Sequence, residues 1–388
     1  MRIIHVVSDY SEMLSKGYQE YELVKEQIKS GHKVHIVTCD RSIGNTDYLE
    51  HAEILGVPIK LKSGTEMGNL GETIHRLPIL FKITGRSWYK NYSAKIISLE
   101  PDTLIVHNIM EFQSLRLLFF FKKLKSRIIF DDHTTINIVR TDFLGRFSYF
   151  VFRLLFARRL YGIAHRIVGI SDSCLNVLKN SFGLEGNKVV MIPLGTDTSI
   201  YFQDVNKRKV YRDQYNILND QILVVYTGKV YEEKKVDLII QALNDEIFED
   251  KKITIHIVGT IYTSYRKKLE NSINVSNNTV VLIGNQSHDD LASVYNAADI
   301  AVWPGHTTTS TLDASACGCP IICSDYKSER FKNQNGIGIK DGDLEQLKKA
   351  LFKLISSQEL RIKMGQRGIQ LINSENTWEI ITDKFNFK

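Results

Sequence analysis

Two lysines and a run of hydroxyl residues could together hold an anion. Lys229 and Lys234 stand in the segment GKVYEEKK, directly after an apolar run that is typical of a buried strand. Thr307 to Thr311 are five consecutive hydroxyl residues that precede a helical pattern. Ammonium groups and the free N–H groups of a helix start both attract phosphate. The sequence therefore predicts a diphosphate site, with a charged surface loop and an ordinary helix cap as the alternatives.

Polar residues also follow the predicted strands of the first half. The apolar pattern predicts these strands at 103–107, 127–131, 166–171 and 189–192. In an open parallel sheet the carboxyl ends of the strands converge on the ligand crevice. We therefore expect His107 and His133 at the mouth of that crevice, with a surface-loop histidine as the alternative for each.

The elements that must position these residues repeat the order strand, turn, helix, strand. Strands at 1–7 and 34–37 flank a helical pattern with Gly17 near its start, where a ligand could approach the backbone or the chain could simply turn. Further strands are predicted at 222–227, 253–258, 280–283, 300–303 and 321–323, and residues 344–387 are helical by pattern. The sequence thus predicts an α/β fold with two doubly wound domains.

The composition is that of a globular protein. The 388 residues are 43% hydrophobic and 24% charged, which excludes a disordered or fibrous chain. Three of the five cysteines, Cys317, Cys319 and Cys323, fall in one helix-turn-strand pattern, which favours small buried side chains over a disulfide framework or a metal site. No apolar run reaches the length of a membrane helix, and the start lacks a signal-peptide core. We therefore expect a reducing, cytoplasmic location.

The net charge of +6 is unevenly distributed. Basic residues outnumber acidic ones roughly twofold between 62 and 166. Two segments there, 115–125 (LRLLFFFKKLK) and 143–159 (FLGRFSYFVFRLLFARR), mix aromatic and aliphatic residues with Lys and Arg at helical spacing. Such helices bind anionic membrane surfaces, or pack with a basic outer face. No known nucleic-acid motif is present. We therefore expect the partner to be an anionic membrane surface rather than nucleic acid, with the protein peripheral at the inner face of the plasma membrane.

Taken in chain order, seven segments resemble the motifs of the retaining, nucleotide-sugar-dependent GT-B glycosyltransferases of family 4. The segments are GYQEYELVKEQIKSGHKVHIVT, FDDHTT, IPLGTD, GKVYEEKKVDLIIQAL, LASVYNAADIAVWPG, LDASACGCPII and NTWEIITDKF. The resemblance covers nearly the whole chain and implies two doubly wound, Rossmann-like domains facing a central cleft. It implies an acceptor-binding domain at 1–200, a nucleotide-sugar-binding domain at 201–370, and a C-terminal helix at 371–388 that crosses back to the first domain.

The resemblance also implies roles for individual residues. Lys229 and Lys234 would hold the donor diphosphate and stabilise charge on the departing nucleotide, while His133 would lie next to the transferred sugar. The implied nucleotide-sugar contacts are Gly17, Gly228, Asn285, His306, Thr309, Ser310 and Asp313. Among these, Asp313 would bind the nucleotide ribose, and the N–H groups at Thr309 and Ser310 would meet the diphosphate.

One position departs from the family pattern. The family carries two glutamates with seven residues between them, and the same spacing counted back from Asp313 gives Gly305. The missing glutamate would hold hydroxyl groups of the donor sugar, and His306 is the nearest polar substitute. Lys229 keeps the charge of the family's arginine but not its bidentate fork. Either the sugar differs, another residue supplies the contact, or activity has been lost.

The implied reaction moves a sugar from a nucleotide-sugar donor to a hydroxyl of a glycan or lipid-linked acceptor, in surface polysaccharide or glycolipid synthesis. The resemblance implies retained configuration, no covalent protein nucleophile, and neither a divalent metal nor another cofactor. The alternative is a catalytically impaired, nucleotide-binding homologue that acts as a binding or partner subunit. A nucleotide-sugar epimerase on the same fold is a third reading, although its acid–base set is not evident.

Overall fold

The computed structural model describes residues 1–8, 10, 17–41, 60–83, 85–136, 139–305, 308–324, 331 and 333–386. The chain divides into two compact units. Unit 1 comprises Met1–Leu194 with Ile381–Lys388, and unit 2 comprises Gly195–Ile380. The C-terminal helix, Trp378–Asn386, therefore begins in unit 2 and continues into residues that belong to unit 1.

Unit 1 is built on an eight-stranded sheet. Its strands are β1 (Arg2–Val6), β2 (Lys33–Cys39), β3 (Gly64–Met67), β4 (Thr73–Leu77), β7 (Thr103–His107), β8 (Arg127–Asp132), β9 (Arg166–Gly169) and β10 (Val189–Met191). Their order is β10-β9-β8-β7-β1-β2-β4-β3, and only the β3–β4 pair is antiparallel. A separate hairpin pairs β5 (Ile79–Ile83) with β6 (Arg86–Tyr89). The strand order changes direction between β1 and β7, which is where ligands bind in open α/β sheets.

Helices cover the strands of unit 1. They span Gln19–Lys29, Tyr92–Leu99, Phe112–Leu117, Phe143–Phe152, Arg158–Ile163 and Asp172–Asn180, with a 3₁₀ turn at Phe121–Lys123 and a π-helical turn at Arg153–Ala157. The central strands are buried along their length, as a parallel sheet covered on both faces requires. None of the helices in the described part of the chain combines the length and the apolar character needed to cross a bilayer.

The two predicted basic, aromatic helices have different outcomes. The helical segment predicted at 143–159 is confirmed, although it includes the π-helical turn. The helix predicted at 115–125 is wrong, because the helix ends at Leu117. Phe120 has φ −138°, leaves the helical path and packs its ring edge-on against Tyr92 at 5.9 Å. The departure from the helix leaves the Phe120 ring buried, with 6% of the residue exposed.

Unit 2 contains a six-stranded parallel sheet. Its strands are β11 (Ile222–Thr227), β12 (Ile253–Val258), β13 (Thr279–Ile283), β14 (Ile300–Trp303), β15 (Ile321–Cys323) and β16 (Gly336–Gly338), in the order β13-β12-β11-β14-β15-β16. Its helices span Val205–Gln214, Asp237–Leu243, Thr263–Asn274, His288–Ala297, Ser310–Ala316, Leu344–Ile355 and Gln358–Glu375, and 3₁₀ turns lie at Glu232–Lys234 and Glu246–Phe248. The strand order changes direction between β11 and β14, so the loops after these two strands border the switch point.

A buried ion pair anchors the first helix of unit 2 to this sheet. The side chain of Arg212 is 4% exposed and lies 3.2 Å from an Asp299 carboxylate oxygen. The same guanidinium donates to the carbonyl oxygens of Ala297, Leu218 and Gln221. Removing it would leave Arg208 as the remaining cation at Asp299 and would take one hydrogen-bond donor from each of the three carbonyls.

We therefore expect Arg212→Met to lower the free energy of unfolding by about 3–5 kcal/mol, the range for breaking a buried pair. Urea denaturation followed by circular dichroism would measure the change. Lys252→Met is the matched control, because its pair with Asp220 is 63% and 56% exposed, and we expect it to leave the midpoint unchanged. Equal shifts of the denaturation midpoint in both variants would contradict a stabilising role for the buried Arg212–Asp299 pair.

Candidate active site

The first part of the candidate site is the loop that leaves β11 in unit 2. Gly228 has φ +126°, a conformation that favours glycine, and its N–H donates to the Val258 carbonyl at 2.9 Å. The half-buried Lys229 follows, and its carbonyl accepts the Tyr226 hydroxyl at 2.7 Å. These hydrogen bonds give the loop a defined path, so Lys229 is positioned directly beyond the carboxyl end of β11.

Lys234 lies against the turn that follows β14. It ends the 3₁₀ turn Glu232–Lys234, is 8% exposed, and places its ammonium 5.7 Å from the centroid of the Tyr231 ring. A Cβ on Gly305 would lie 2.2 Å from the Glu233 carbonyl oxygen and 2.6 Å from the Lys234 carbonyl carbon. The structure therefore brings the lysine loop into contact with the turn that precedes the hydroxyl run.

This contact gives a physical reason for the departure at position 305. The space that a side chain would need is filled by the backbone of Glu233 and Lys234, so only glycine fits without a shift of the loop. The expected substitute, His306, lies outside the described residues, as does Thr307.

The hydroxyl residues and Asp313 form the start of helix Ser310–Ala316. The Ser310 N–H donates to the Thr308 hydroxyl at 3.2 Å, and Thr309 occupies the N-cap position without a side-chain cap. The Asp313 carboxylate accepts a hydrogen bond from the hydroxyl of Thr196, in the segment IPLGTD. The structure therefore joins two of the sequence motifs at this carboxylate.

Two buried tyrosines surround the same carboxylate. Burial, and secondarily the charge of Asp313, raise the pKa values of Tyr201 and Tyr295, which keeps both phenols neutral. By contrast, Asn285 is exposed in the loop after β13, the edge strand, and forms no side-chain hydrogen bond with the described residues. Its contact with the nucleotide sugar stays a prediction.

In unit 1, a chain of polar side chains leads to His133. The distances are 2.8 Å from Gln27 Oε1 to His5 Nε2, 3.0 Å from His5 Nδ1 to His107 Nε2, 2.8 Å from His107 Nδ1 to Asp131 Oδ2, and 3.0 Å from Asp131 Oδ2 to His133 Nε2. Of these side chains only His133 reaches the surface, with 31% of its side chain exposed. The expectation that His107 lies at the mouth is wrong, because both of its ring nitrogens find partners in the interior and the residue is 3% exposed.

The ionisation of this chain follows from one buried carboxylate. Burial alone would raise the pKa of Asp131, but His133 and His107 hold it well below its usual range. Burial alone would lower the pKa of His133, but Asp131 raises it to about 9. Burial and then His107 lower the pKa of His5 to about 3. At neutral pH the chain therefore presents a cation at its exposed end and a neutral imidazole at its buried end.

Gly17 and the helix that follows it belong to the same region of unit 1. Gly17 has φ +84°, and its N–H donates to the Glu22 carboxylate at 3.2 Å. Glu20, on the first turn of helix Gln19–Lys29, also raises the pKa of His133. The start of this helix and the loop of His133 are therefore near neighbours.

The side chains of His107, Asp131 and His133 place possible ligand atoms for a metal ion within 4.8 Å of one another. Both histidines, however, direct a nitrogen at the same Asp131 oxygen at hydrogen-bond distance. A metal would need those nitrogens deprotonated, whereas the raised pKa of His133 keeps it protonated. The donor set fits a hydrogen-bonded ion pair better than a metal site.

Sequence reasoning missed several residues of this region. His5 and Gln27 complete the polar chain, and Glu111 follows β7 with a pKa that burial raises to about 7. Glu111 therefore changes its charge near neutral pH, as groups in functional sites often do. Its position after a predicted strand was the one signal in the sequence.

Two doubly wound units in one chain are the architecture of the GT-B glycosyltransferases. Residues 20–200 match the family described as Glycosyltransferase Family 4, and residues 207–371 match the family described as Glycosyl transferases group 1. The chain belongs to this glycosyltransferase family.

Characterised relatives are distant. The chain is 24% identical over 271 residues to the capsular polysaccharide biosynthesis glycosyltransferase CapM of Staphylococcus aureus, covering 65% of this chain and 69% of that protein. It is 25% identical over 229 residues to the GDP-mannose-dependent monoacylated alpha-(1-6)-phosphatidylinositol monomannoside mannosyltransferase of Corynebacterium glutamicum, covering 55% of this chain and 59% of that protein.

Solved structures share the fold at still lower identity. Anabaena HepE in complex with UDP has a TM-score of 0.71 at 13% identity and covers 100% of this chain and 99% of that chain. Sucrose-phosphate synthase from Thermosynechococcus elongatus has a TM-score of 0.70 at 14% identity, and the match covers 100% of this chain and 98% of that chain. These likenesses show the GT-B fold.

We expect Asp131→Asn to lower the pKa of His133 from about 9 to below 6.5, because burial then acts without the opposing carboxylate. Titration of the ring signals of ¹³C-labelled histidine by NMR would measure it. Asp142→Asn removes a carboxylate from an exposed pair with Arg140 and should leave the value near 9. A wild-type midpoint near 6.5 would contradict the ion pair.

The same ion pair predicts how stability depends on pH. Because the folded-state pKa of His133 is raised from 6.5 to about 9, protonation stabilises the fold fully below pH 6.5, and this contribution is lost as pH rises through 9. Melting temperatures at pH 6 and pH 9.5 should therefore differ more in the wild type than in His133→Gln. If the melting temperature changed equally in both proteins, His133 would not contribute to the pH dependence of stability.

Proposed function

We propose that this chain is a retaining glycosyltransferase that moves a sugar from a nucleotide-sugar donor to a hydroxyl of a glycan or lipid-linked acceptor. The observation that carries the proposal is the contact of the Lys234 loop with the Gly305 turn, at the switch point of unit 2. The name of the CapM relative, which refers to capsular polysaccharide biosynthesis, supports surface polysaccharide or glycolipid synthesis as the setting.

In this proposal Lys229 and Lys234 neutralise the donor diphosphate as its bond to the sugar breaks. Negative charge grows on the leaving phosphate oxygens, and positioned cations stabilise that charge more in the transition state than in the ground state. Lys234 is well placed for this role because it is 8% exposed, so solvent screens its charge weakly. Asp313, oriented by Thr196, accepts hydrogen bonds from the ribose hydroxyls.

His133 supplies a second cationic group, beside the transferred sugar. Its proton is retained through the buried Asp131, so it donates hydrogen bonds at neutral pH. The acceptor hydroxyl attacks the sugar from the face that the nucleotide leaves, and a departing phosphate oxygen takes the hydroxyl proton. No protein nucleophile forms a covalent bond, and the configuration is retained.

A peripheral membrane contact accompanies this function. The helical segment that starts at Phe143 leaves Phe143, Phe147 and Phe150 exposed by 80%, 56% and 61%. Arginines interleave with them on the same segment. Aromatic rings at the acyl boundary and arginines at anionic headgroups are the usual contacts of an interfacial helix, so we propose attachment to the anionic inner face of the plasma membrane.

A panel of nucleotide sugars incubated with the full chain tests the reaction. Once the donor is found, we expect Lys234→Ala to lower kcat/KM about 30- to 1000-fold, from a loss of about 2–4 kcal/mol of transition-state stabilisation. Lys252→Ala, at an exposed position away from the loop, is the matched control and should keep the wild-type value.

The outcomes of that panel separate the alternatives. Absence of binding and turnover with every nucleotide sugar would overturn the proposal. Nucleotide binding without transfer to any acceptor would instead support the catalytically impaired homologue, and release of an epimerised free sugar would support an epimerase.

We also propose that no divalent metal takes part, because two lysines supply the charge that a metal would otherwise provide. Activity should therefore be unchanged after dialysis against EDTA and on addition of Mg²⁺ or Mn²⁺. Loss of activity in EDTA that Mg²⁺ or Mn²⁺ restores would contradict this.

A further inference from the structure

A cavity in unit 1 opens beside the helical segment 143–163. It has a volume of about 640 Å³, within the range of small-molecule sites. Its lining includes three arginines and three residues with apolar or aromatic side chains. The arginines are Arg140, Arg146 and Arg153, and the other three residues are Tyr149, Phe150 and Leu154. No acidic side chain is among the described residues that line it.

The three arginines differ in how they are held. Arg140 pairs with both oxygens of Asp142, at 3.0 and 2.5 Å. Arg153 donates to the Asn180 carbonyl at 2.9 Å. The Arg146 side chain makes no hydrogen bond or ion pair with the described residues, so its guanidinium remains available to a ligand. Three cations against one carboxylate leave the cavity rim positive.

The apolar side of the cavity continues into the exposed stripe of the same segment. Phe143, Phe147, Phe150 and Leu154 follow one another at helical spacing, and the rings of Phe143 and Phe147 stack with centroids 6.4 Å apart. Phe150 and Leu154 line the cavity and are also 61% and 69% exposed. An apolar stripe that runs into a cationic cavity matches a molecule with an anionic head and an apolar tail.

We propose that this cavity binds the phosphate headgroup of a single anionic membrane phospholipid. Arg146 and Arg153 pair with the phosphate oxygens, because guanidinium groups match the geometry of a phosphate. The first methylene groups of the acyl chains lie along Phe150 and Leu154. This inference rests on the proposed membrane contact and goes beyond it, since a surface attraction alone would need no discrete site.

The test is calorimetric titration of the full chain with monomeric dihexanoyl phosphatidylglycerol. We expect saturable binding at one site, weakened about tenfold or more in Arg146→Gln, since one charge-assisted hydrogen bond is lost. Arg159→Gln is the matched control: it removes the same charge from an exposed position of the same segment that does not line the cavity. It should bind like the wild type.

Several results would overturn the inference. They are no saturable binding, equal weakening by Arg159→Gln, or equally tight binding of sn-glycerol 3-phosphate or inorganic phosphate, which would assign a free phosphate instead. Thermal melting would show that Arg146→Gln remains folded. Cosedimentation with phosphatidylglycerol vesicles tests the membrane contact separately: failure there removes that contact, whereas vesicle binding without short-chain lipid binding removes only the discrete site. Nucleotide-sugar turnover is independent of both.

Discussion

The close approach of two backbones, at Lys234 and at Gly305, fixes the position of the lysine loop in unit 2. The absence of a side chain at Gly305 permits that approach. A second tie lies nearby, because the indole N–H of Trp303 donates to the Thr227 carbonyl at 2.9 Å and so joins the ends of β11 and β14. Together they hold an ammonium-bearing loop beside the turn that leads to Asp313. The proposed donor site depends on this arrangement.

Much of the sheet architecture could be predicted because parallel, buried strands are continuous apolar runs. The runs at 222–227 and 300–303 have those limits in the structure. The segment TIHRL could not be recognised in this way, since β4 buries His75 and Arg76 between apolar residues and its sequence is polar. Its assignment depends on partners such as Glu66 on β3, which lies 2.7 Å from Arg76.

The candidate site was predictable only in part, for the same reason. Lys229 and Lys234 follow a recognisable strand, so their position could be predicted from the local sequence. The polar chain behind His133 could not, because His5 and His107 lie 102 residues apart in sequence and meet only when β1 pairs with β7. Likewise, the sequence shows that the glutamate is missing, but the reason lies in the tertiary structure. A backbone oxygen lies 2.2 Å from the point that a Cβ at position 305 would occupy.

The two units surround a basic side chain in different ways. In unit 1 a fully buried carboxylate outweighs the desolvation of His133, and that carboxylate is itself held ionised by two histidines. In unit 2 the nearly buried Lys234 lies near the Tyr231 ring, and position 305 contributes no negative charge beside it. A glutamate at that position would lower the local positive potential. In the proposed donor site, glycine at this position therefore favours an anionic diphosphate, and other groups contact the sugar.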